Sequence, residues 1–443
     1  MRIQLSDHFT YGKLFRFTIP SIVMMVFSSI YGVVDGLFVS NMVGKTEFAA
    51  INLIMPILIM IGAIGFMMGA GGTAIVSKTL GEGKRELANR YFSLFVYATA
   101  IAGAALAVLG ALFMRPLSAM LGAEGALLDS CESYGRIVVL AMPAFMIQNL
   151  FQSFFIVAEK PKLGLWVTVA AGVTNMVLDA LLVAVFPFGL EGAALATSIS
   201  QLVGGVVPIF YFARRNNSLL KLGKTKIYGK ALLKASVNGS SELMSNISAS
   251  LITVLYNMQL MKFAGENGIA AYGVVMYVGF IFIAIFIGYS VGTAPIIGYN
   301  FGAANRVELK NLFKKSALVN FVLGILMALS AFLFARPLSA IFVSYDAELL
   351  EMTVHGFKIF SVSFVFSGFC IFGSSFFTAL NNGLISALIS FLRTLVYQML
   401  CILLLPLVFE LDGIWFSIVI AEILALATTI IFIFTNRKKY GYL

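Results

Sequence analysis

The sequence predicts an all-α polytopic membrane protein, with about twelve transmembrane helices in two six-helix lobes related by pseudo-two-fold symmetry. Three observations predict it. The 443-residue chain is 60% hydrophobic and only 11% charged, with a mean hydropathy of +0.97. A soluble domain has too little interior to hide that much apolar side chain. Apolar runs of about 20 residues recur along the whole length, each long enough to cross roughly 30 Å of hydrocarbon. Finally, the first half of the chain recurs in the second at a constant offset of 221 residues.

In lipid every backbone polar group needs an internal partner, so the apolar runs are helices. They lack the period-two alternation of a β-barrel. In the first lobe the runs predict spans at about 14–40, 50–77, 91–114, 133–157, 164–186 and 191–213. The second lobe follows at about 236–262, 269–298, 313–335, 352–378, 384–407 and 413–436. The first run is long and lacks a small-residue cleavage site, so it is expected to stay as span 1.

Basic connectors lie at 78–85 (KTLGEGKR), 159–162 (EKPK), 214–230, 305–315 and in the tail NRKK at 436–439. Most Lys and Arg therefore fall on one side, which the positive-inside rule makes cytoplasmic, together with both termini. The lobes are expected at 1–213 and 235–443, joined by a cytoplasmic linker at 214–234. The net charge of +10 follows this loop asymmetry rather than any nucleic-acid footprint, and no nucleic-acid partner is expected. Cys131, Cys370 and Cys401 show no CxxC spacing and read as apolar fillers. His8 and His355 are too few and too far apart for a metal cluster. No cofactor is expected.

The repeat is explicit. RPLSAM at 115–120 recurs as RPLSAI at 336–341, and the same offset carries Gly81 to Gly302, Arg85 to Arg306, Phe92 to Phe313 and Glu191-Gly192 to Asp412-Gly413. An even number of spans per repeat gives both halves the same direction through the membrane. Substrate is then handled between lobes that rock against each other.

A charge deep in a bilayer costs at least ~2.5–3.5 kcal/mol on insertion scales, so each one needs a partner or a function. Asp35 in span 1 lies about 9 Å from the outer end, and Asp179 in span 5 about 12 Å. Asn175 shares the Asp179 face at i−4, and Thr197 in span 6 lies about 9 Å deep. Two carboxylates, an amide and a hydroxyl at one level suit a proton or a hard monovalent cation, with Na⁺ held at Asp35 and Asp179. The repeat is an internal control. Its offset gives Tyr256, Val396, Leu400 and Ile418, none of them a carboxylate or amide. The paired acids would titrate as a unit. Pro20 permits a bend of span 1 that links this site to the cavity.

Gln201 extends the cation site, and Tyr31, Gln148, Asn149 and Gln152 are candidates for an inter-lobe cavity. Arg393 and Glu422 fall at one depth on neighbouring spans and read as an ion pair. Glu242, near the start of span 7, reads as close to cytoplasmic water, with Arg393 as its alternative partner. No Ser/His, His/Asp or metal constellation of a membrane enzyme is visible, so an enzyme is not expected.

These residues resemble a known family, the multidrug and toxic compound extrusion (MATE) transporters. The resemblance spans essentially the whole chain. It rests on the two repeats, Pro20 and Asp35, GxGxxxxxSKxLGEG at 69–83, EKPK, GLEGAALAT at 189–197 and NFGAAN at 300–305. NGSSELMSN at 238–246 resembles the MepA-like branch. The resemblance implies H⁺- or Na⁺-driven antiport of bulky hydrophobic, often cationic, drug-like compounds from the cell (inner) membrane, by a monomer among membrane lipids. It implies that Asp35, Asn175, Asp179 and Thr197 are the cation site. A C-lobe cation site is not expected, because span 10 has no acid in its apolar body. The alternatives are a lipid-linked oligosaccharide or lipid flippase of the same superfamily and a passive channel.

Overall fold

A computed structural model describes residues 3–43, 45–186 and 188–443, and of residues 33, 35–42, 45 and 48 the backbone alone. Its spans are numbered α1–α12. α1 is Tyr11–Met42, α2 Lys45–Gly81 and α3 Arg85–Met120. α4 is a bent pair, Gly125–Leu140 and Met142–Val157, meeting at 53°. α5 is Pro161–Asp179 and runs on into a π-helical turn, Ala180–Val185. α6 is Gly189–Ala213. The long helix Gly229–Gly302 is two helices meeting at Gly265, where φ 60° and ψ −149° suit only glycine. α7 is therefore 229–264 and α8 266–302. α9 is Arg306–Leu333, followed by a short helix, Ala335–Val343. α10 is a second bent pair, Ala347–Ser361 and Phe364–Ala379, at 50°. α11 is Gly383–Phe391, a π-helical turn Leu392–Val396, and Tyr397–Leu404. α12 is Pro406–Tyr440.

Nine described helices are long and apolar enough to cross a membrane. The two bent pairs and the break at Gly265 bring the described spans to twelve. Most begin a few residues before their predicted starts. α7 starts at Gly229 rather than near 236, so the end of the expected 214–234 linker is helical.

The backbone repeats with the period of the sequence. The bend of α4 at Ala141 and that of α10 at Val362 are one offset apart. So are two left-handed pairs, Gly83 with Ala304 (φ 78° and 54°) and Gly189 with Glu410 (φ 58° and 51°). Ala304 and Glu410 pay the steric cost that glycine avoids at the first-lobe positions. Packing repeats too. Phe92 stacks among Phe151, Phe154 and Phe212 at 5.0–6.1 Å. Its repeat mate Phe313 stacks among Phe372, Phe376 and Tyr442 at 5.0–6.3 Å.

The lobes meet at backbone contact range near the face that carries the basic connectors. A Cβ on Gly81 would overlap the Tyr299 carbonyl oxygen, and one on Gly302 would overlap that of Lys78. These two contacts are images of each other, since Lys78 and Tyr299 are also one offset apart. Gly71 packs against Ala235 and Gly239, and Gly292 against Thr18, again as images. The molecule is closed at its basic face.

Candidate functional site

Beyond these crossings lies a cavity of about 330 Å³ between the lobes. α1 gives Met25, Ser28 and Tyr31, and the second half of α4 gives Gln148, Asn149 and Gln152. Glu242 and Asn246 of α7 face them, with Phe66, Phe145 and Phe280 completing the wall. The structure thus brings Tyr31, Gln148, Asn149 and Gln152 into one space. The 53° bend of α4 precedes Pro143, which supplies no backbone N–H and starts a fresh helix at a new angle. That helix is buried almost throughout, so its three amides are inside the molecule. Asn149 Nδ2 is buried without a hydrogen-bond partner among the described residues, a donor left for whatever occupies the cavity.

Glu242 is the residue that sequence reasoning misplaced. It does not sit at the start of its helix near water. With α7 beginning at Gly229, it lies thirteen residues in, about 20 Å along the axis. It is half-buried and lines the cavity. Nor is Arg393 its partner, because Glu422 takes that guanidinium with Nε at 2.9 and 3.0 Å and an Nη at 2.8 Å. Glu242 is the one carboxylate among the described residues of the cavity wall, and no Lys or Arg lines it. The missing signal was the true helix start. The polar run 236–246 (SVNGSSELMSN) looked like a helix start, and it is a half-buried crossing within the helix, with Asn238 and Gly239 buried.

Asp179 and Asn175 of the first lobe lie behind this wall. α1 and α5 pack side by side, with Gly172 leaving room for Phe27 and Tyr31. Three and seven residues further along α5 stand Asn175 (2% exposed) and Asp179 (0% exposed). Asn175 Oδ1 is buried with no hydrogen-bond partner among the described residues. Asp179 opens the π-helical turn, a distortion found often at functional positions because it re-aims side chains and frees backbone groups. Asp35 lies within α1, but its side chain falls outside the described residues. Thr197 is half-buried on α6. Gln201, one turn on, has a buried Oε1 without a partner among the described residues. The orphan oxygens of Asn175 and Gln201 are hard acceptors, the donor type that a small cation takes.

The second lobe is built differently at the matching level. Tyr256, the image of Asp35, stacks on Tyr272 at 4.8 Å and donates its hydroxyl to Gln398 Oε1 at 3.4 Å. The Arg393–Glu422 ion pair and the stacked phenols occupy the second lobe where the first has Asn175 and Asp179. Pro20 lies inside α1, which continues through it as one helix. No group of three or more His, Cys, Asp or Glu suited to a metal ion occurs among the described residues.

Comparison with known proteins agrees with this architecture. The sequence pattern of the family described as MatE matches residues 20–181 and 243–403, one segment in each lobe. The multidrug export protein MepA of Staphylococcus saprophyticus is 24% identical over 428 residues, covering 96% of this chain and 94% of its own. MepA of Staphylococcus haemolyticus is 25% identical, covering 97% and 94%. A MATE family multidrug resistance transporter of the MOP superfamily, solved in an outward-facing conformation, superimposes with a TM-score of 0.92 at 20% identity, covering 97% of this chain and 96% of its own.

Proposed function

The chain belongs to the MatE family, and from that premise we propose that it is a cation-coupled exporter of hydrophobic, often cationic compounds working by alternating access. The basic connectors face the cytoplasm of a cell membrane, with both termini inside. Substrate occupies the inter-lobe cavity, where aromatic and methionine side chains adapt to varied shapes and Glu242 offers one negative charge. A proton or Na⁺ is exchanged in the N-lobe at Asp35, Asn175, Asp179 and Thr197, with Gln201 adjoining.

Asp179 is the observation that carries this reading. A carboxylate with 0% exposure, one turn from the orphan oxygen of Asn175, sits in the lobe wall behind the substrate cavity. Taking up a proton or Na⁺ there changes a buried charge. A change of that kind can bias two lobe arrangements, since a ligand shifts an equilibrium only through unequal affinity for its states. A flippase for anionic lipid-linked sugars calls for a cationic cavity, and the described wall has no cation.

The test is dye efflux from energised vesicles under an imposed pH or Na⁺ gradient, comparing wild type with Asp179→Asn and Asp35→Asn. The expected result is loss of gradient-driven efflux with dye binding retained. The gradient that drives wild-type efflux identifies the coupling ion. Normal pumping by both variants would overturn the coupling site. Dye that merely equilibrates in wild type would point to a channel.

A further inference from the structure

A second cavity, of about 460 Å³, opens on the basic face where α6 ends. Lys160 of the α4–α5 turn, Phe210 of α6, and Arg214, Arg215, Asn216 and Asn217 just beyond α6 line it. No carboxylate does so among the described residues. Arg214 and Arg215 are exposed and form no ion pair among the described residues. A neighbouring basic hollow of about 310 Å³, at 83–90, is of a different kind. Glu86 lines it, Lys84 is bonded to Glu82 at 2.9 Å, and Arg85 donates to the Ser218 carbonyl at 3.3 Å. Its charges are used internally, and Arg214 and Arg215 are not.

The arginine pair is not demanded by the repeat, which puts Thr435 and Asn436 at the equivalent positions. The positive-inside rule asks for cations on this face, but it asks neither for a cavity nor for the exclusion of acids from it. The helix leading there is apolar on the same side. Val207 and Phe210, spaced i and i+3, share one face of α6 and are 46% and 59% exposed, and Arg214 caps the helix one turn after Phe210. A greasy track thus ends at two guanidinium groups, which match phosphate oxygens in bidentate geometry.

We propose that this cavity binds the phosphate of an anionic phospholipid from the leaflet at the basic face. Arg214 and Arg215 hold the headgroup, and Val207 and Phe210 receive an acyl chain. Basic pockets at the cytoplasmic ends of spans recognise such headgroups by the same combination of charge and depth. The site uses no residue of the coupling or substrate sites. Its assignment to the cytoplasmic leaflet rests on the orientation proposed above, while the binding itself does not.

Native mass spectrometry of the full-length protein, titrated with phosphatidylglycerol or phosphatidylcholine, tests it. The expected result is one phosphatidylglycerol retained in preference to phosphatidylcholine. Arg214→Gln with Arg215→Gln should weaken phosphatidylglycerol binding by about tenfold or more and leave phosphatidylcholine unchanged. Lys224→Gln with Lys226→Gln, which removes the same charge from an exposed stretch of the linker, should keep the lipid bound. Undiminished binding by the arginine variant, or equal loss by the lysine variant, would overturn the site. Displacement by equimolar inorganic phosphate would overturn the lipid as its occupant.

Discussion

Glu242 is the one charge among the described residues of the inter-lobe cavity wall. A carboxylate facing amides and aromatic rings attracts an organic cation and does little for a neutral molecule of the same shape. Glu242→Gln keeps the volume and removes the charge, so binding of a monovalent cationic dye should weaken by about tenfold, the scale of one charge-assisted contact. Binding of a neutral dye should change little. Fluorescence titration of the purified protein with the two dyes would expose a failure, namely parallel loss for both. Its role was not legible in the sequence because its depth depends on a helix start hidden in a polar stretch. The pair Arg393–Glu422 was legible, since opposite charges on adjacent antiparallel spans at one depth have no cheaper arrangement in lipid. Asn175 and Asp179 were legible as a four-residue pair on one helix face. The π-helical turn that follows Asp179 was not, because nothing in ALLVAV departs from an ordinary apolar helix.

Among the elements, the segment ahead of α1 joins the helix crossings in bridging the lobes, through hydrogen bonds to both. Leu5 N–H donates to Glu159 Oε1 of the N-lobe at 2.9 Å, and Phe9 N–H donates to Glu308 Oε1 of the C-lobe at 2.9 Å. His8 Nδ1 lies 2.6 Å from the other oxygen of Glu308, and Asn300 Nδ2 donates to the Leu5 carbonyl at 3.4 Å. Leu5 and Phe9 are fully buried in the core that α8, α9 and α10 share. Residues 3–9 therefore span the junction that must part when the basic face opens. Glu308→Ala removes the acceptor of a charge-assisted bond worth about 1.5–3 kcal/mol, and should move the lobes toward the state open at that face. Ser77, buried against Gly298 beneath the crossing, offers a reporter. The labelling rate of Ser77→Cys with a maleimide should rise several-fold in the Glu308→Ala background, and an unchanged rate would sink the strap's role. This clasp was not legible in the sequence. Five of the first nine residues are polar or charged, and only the folded α9 shows which of them meet carboxylates. The spans themselves were legible because lipid enforces one length and one secondary structure. The bend of α10 was not, since no proline stands near Val362, whereas Pro143 marks that of α4.

For the molecule as a whole, the offset of 221 residues is a mechanical statement as well as a sequence one. Two equivalent halves in the same orientation face each other about an axis, so every crossing near it occurs with its image. Gly81 over Tyr299 and Gly302 over Lys78 form one such couple at the closed face. The sequence made the equivalence of Gly81 and Gly302 readable, but not the reason both are glycine, which is contact between backbones of different lobes. If this couple seals the basic face, a β-branched side chain at either member should hold the lobes apart. Overpacking of this kind costs typically about 1–3 kcal/mol, enough to shift the closed-to-open ratio by roughly thirtyfold at the middle of that range. Gly81→Val and Gly302→Val should then reduce efflux to a similar extent and raise labelling at Ser77→Cys alike, although they lie in different lobes. Gly12→Ala is the control, because nothing stands within 4 Å of a Cβ there, and it should pump normally. Equal effects of the two valines are the signature of a symmetric gate. Were Gly302→Val to pump as wild type while Gly81→Val failed, closure would be the work of one lobe. The repeat would then be a matter of architecture alone.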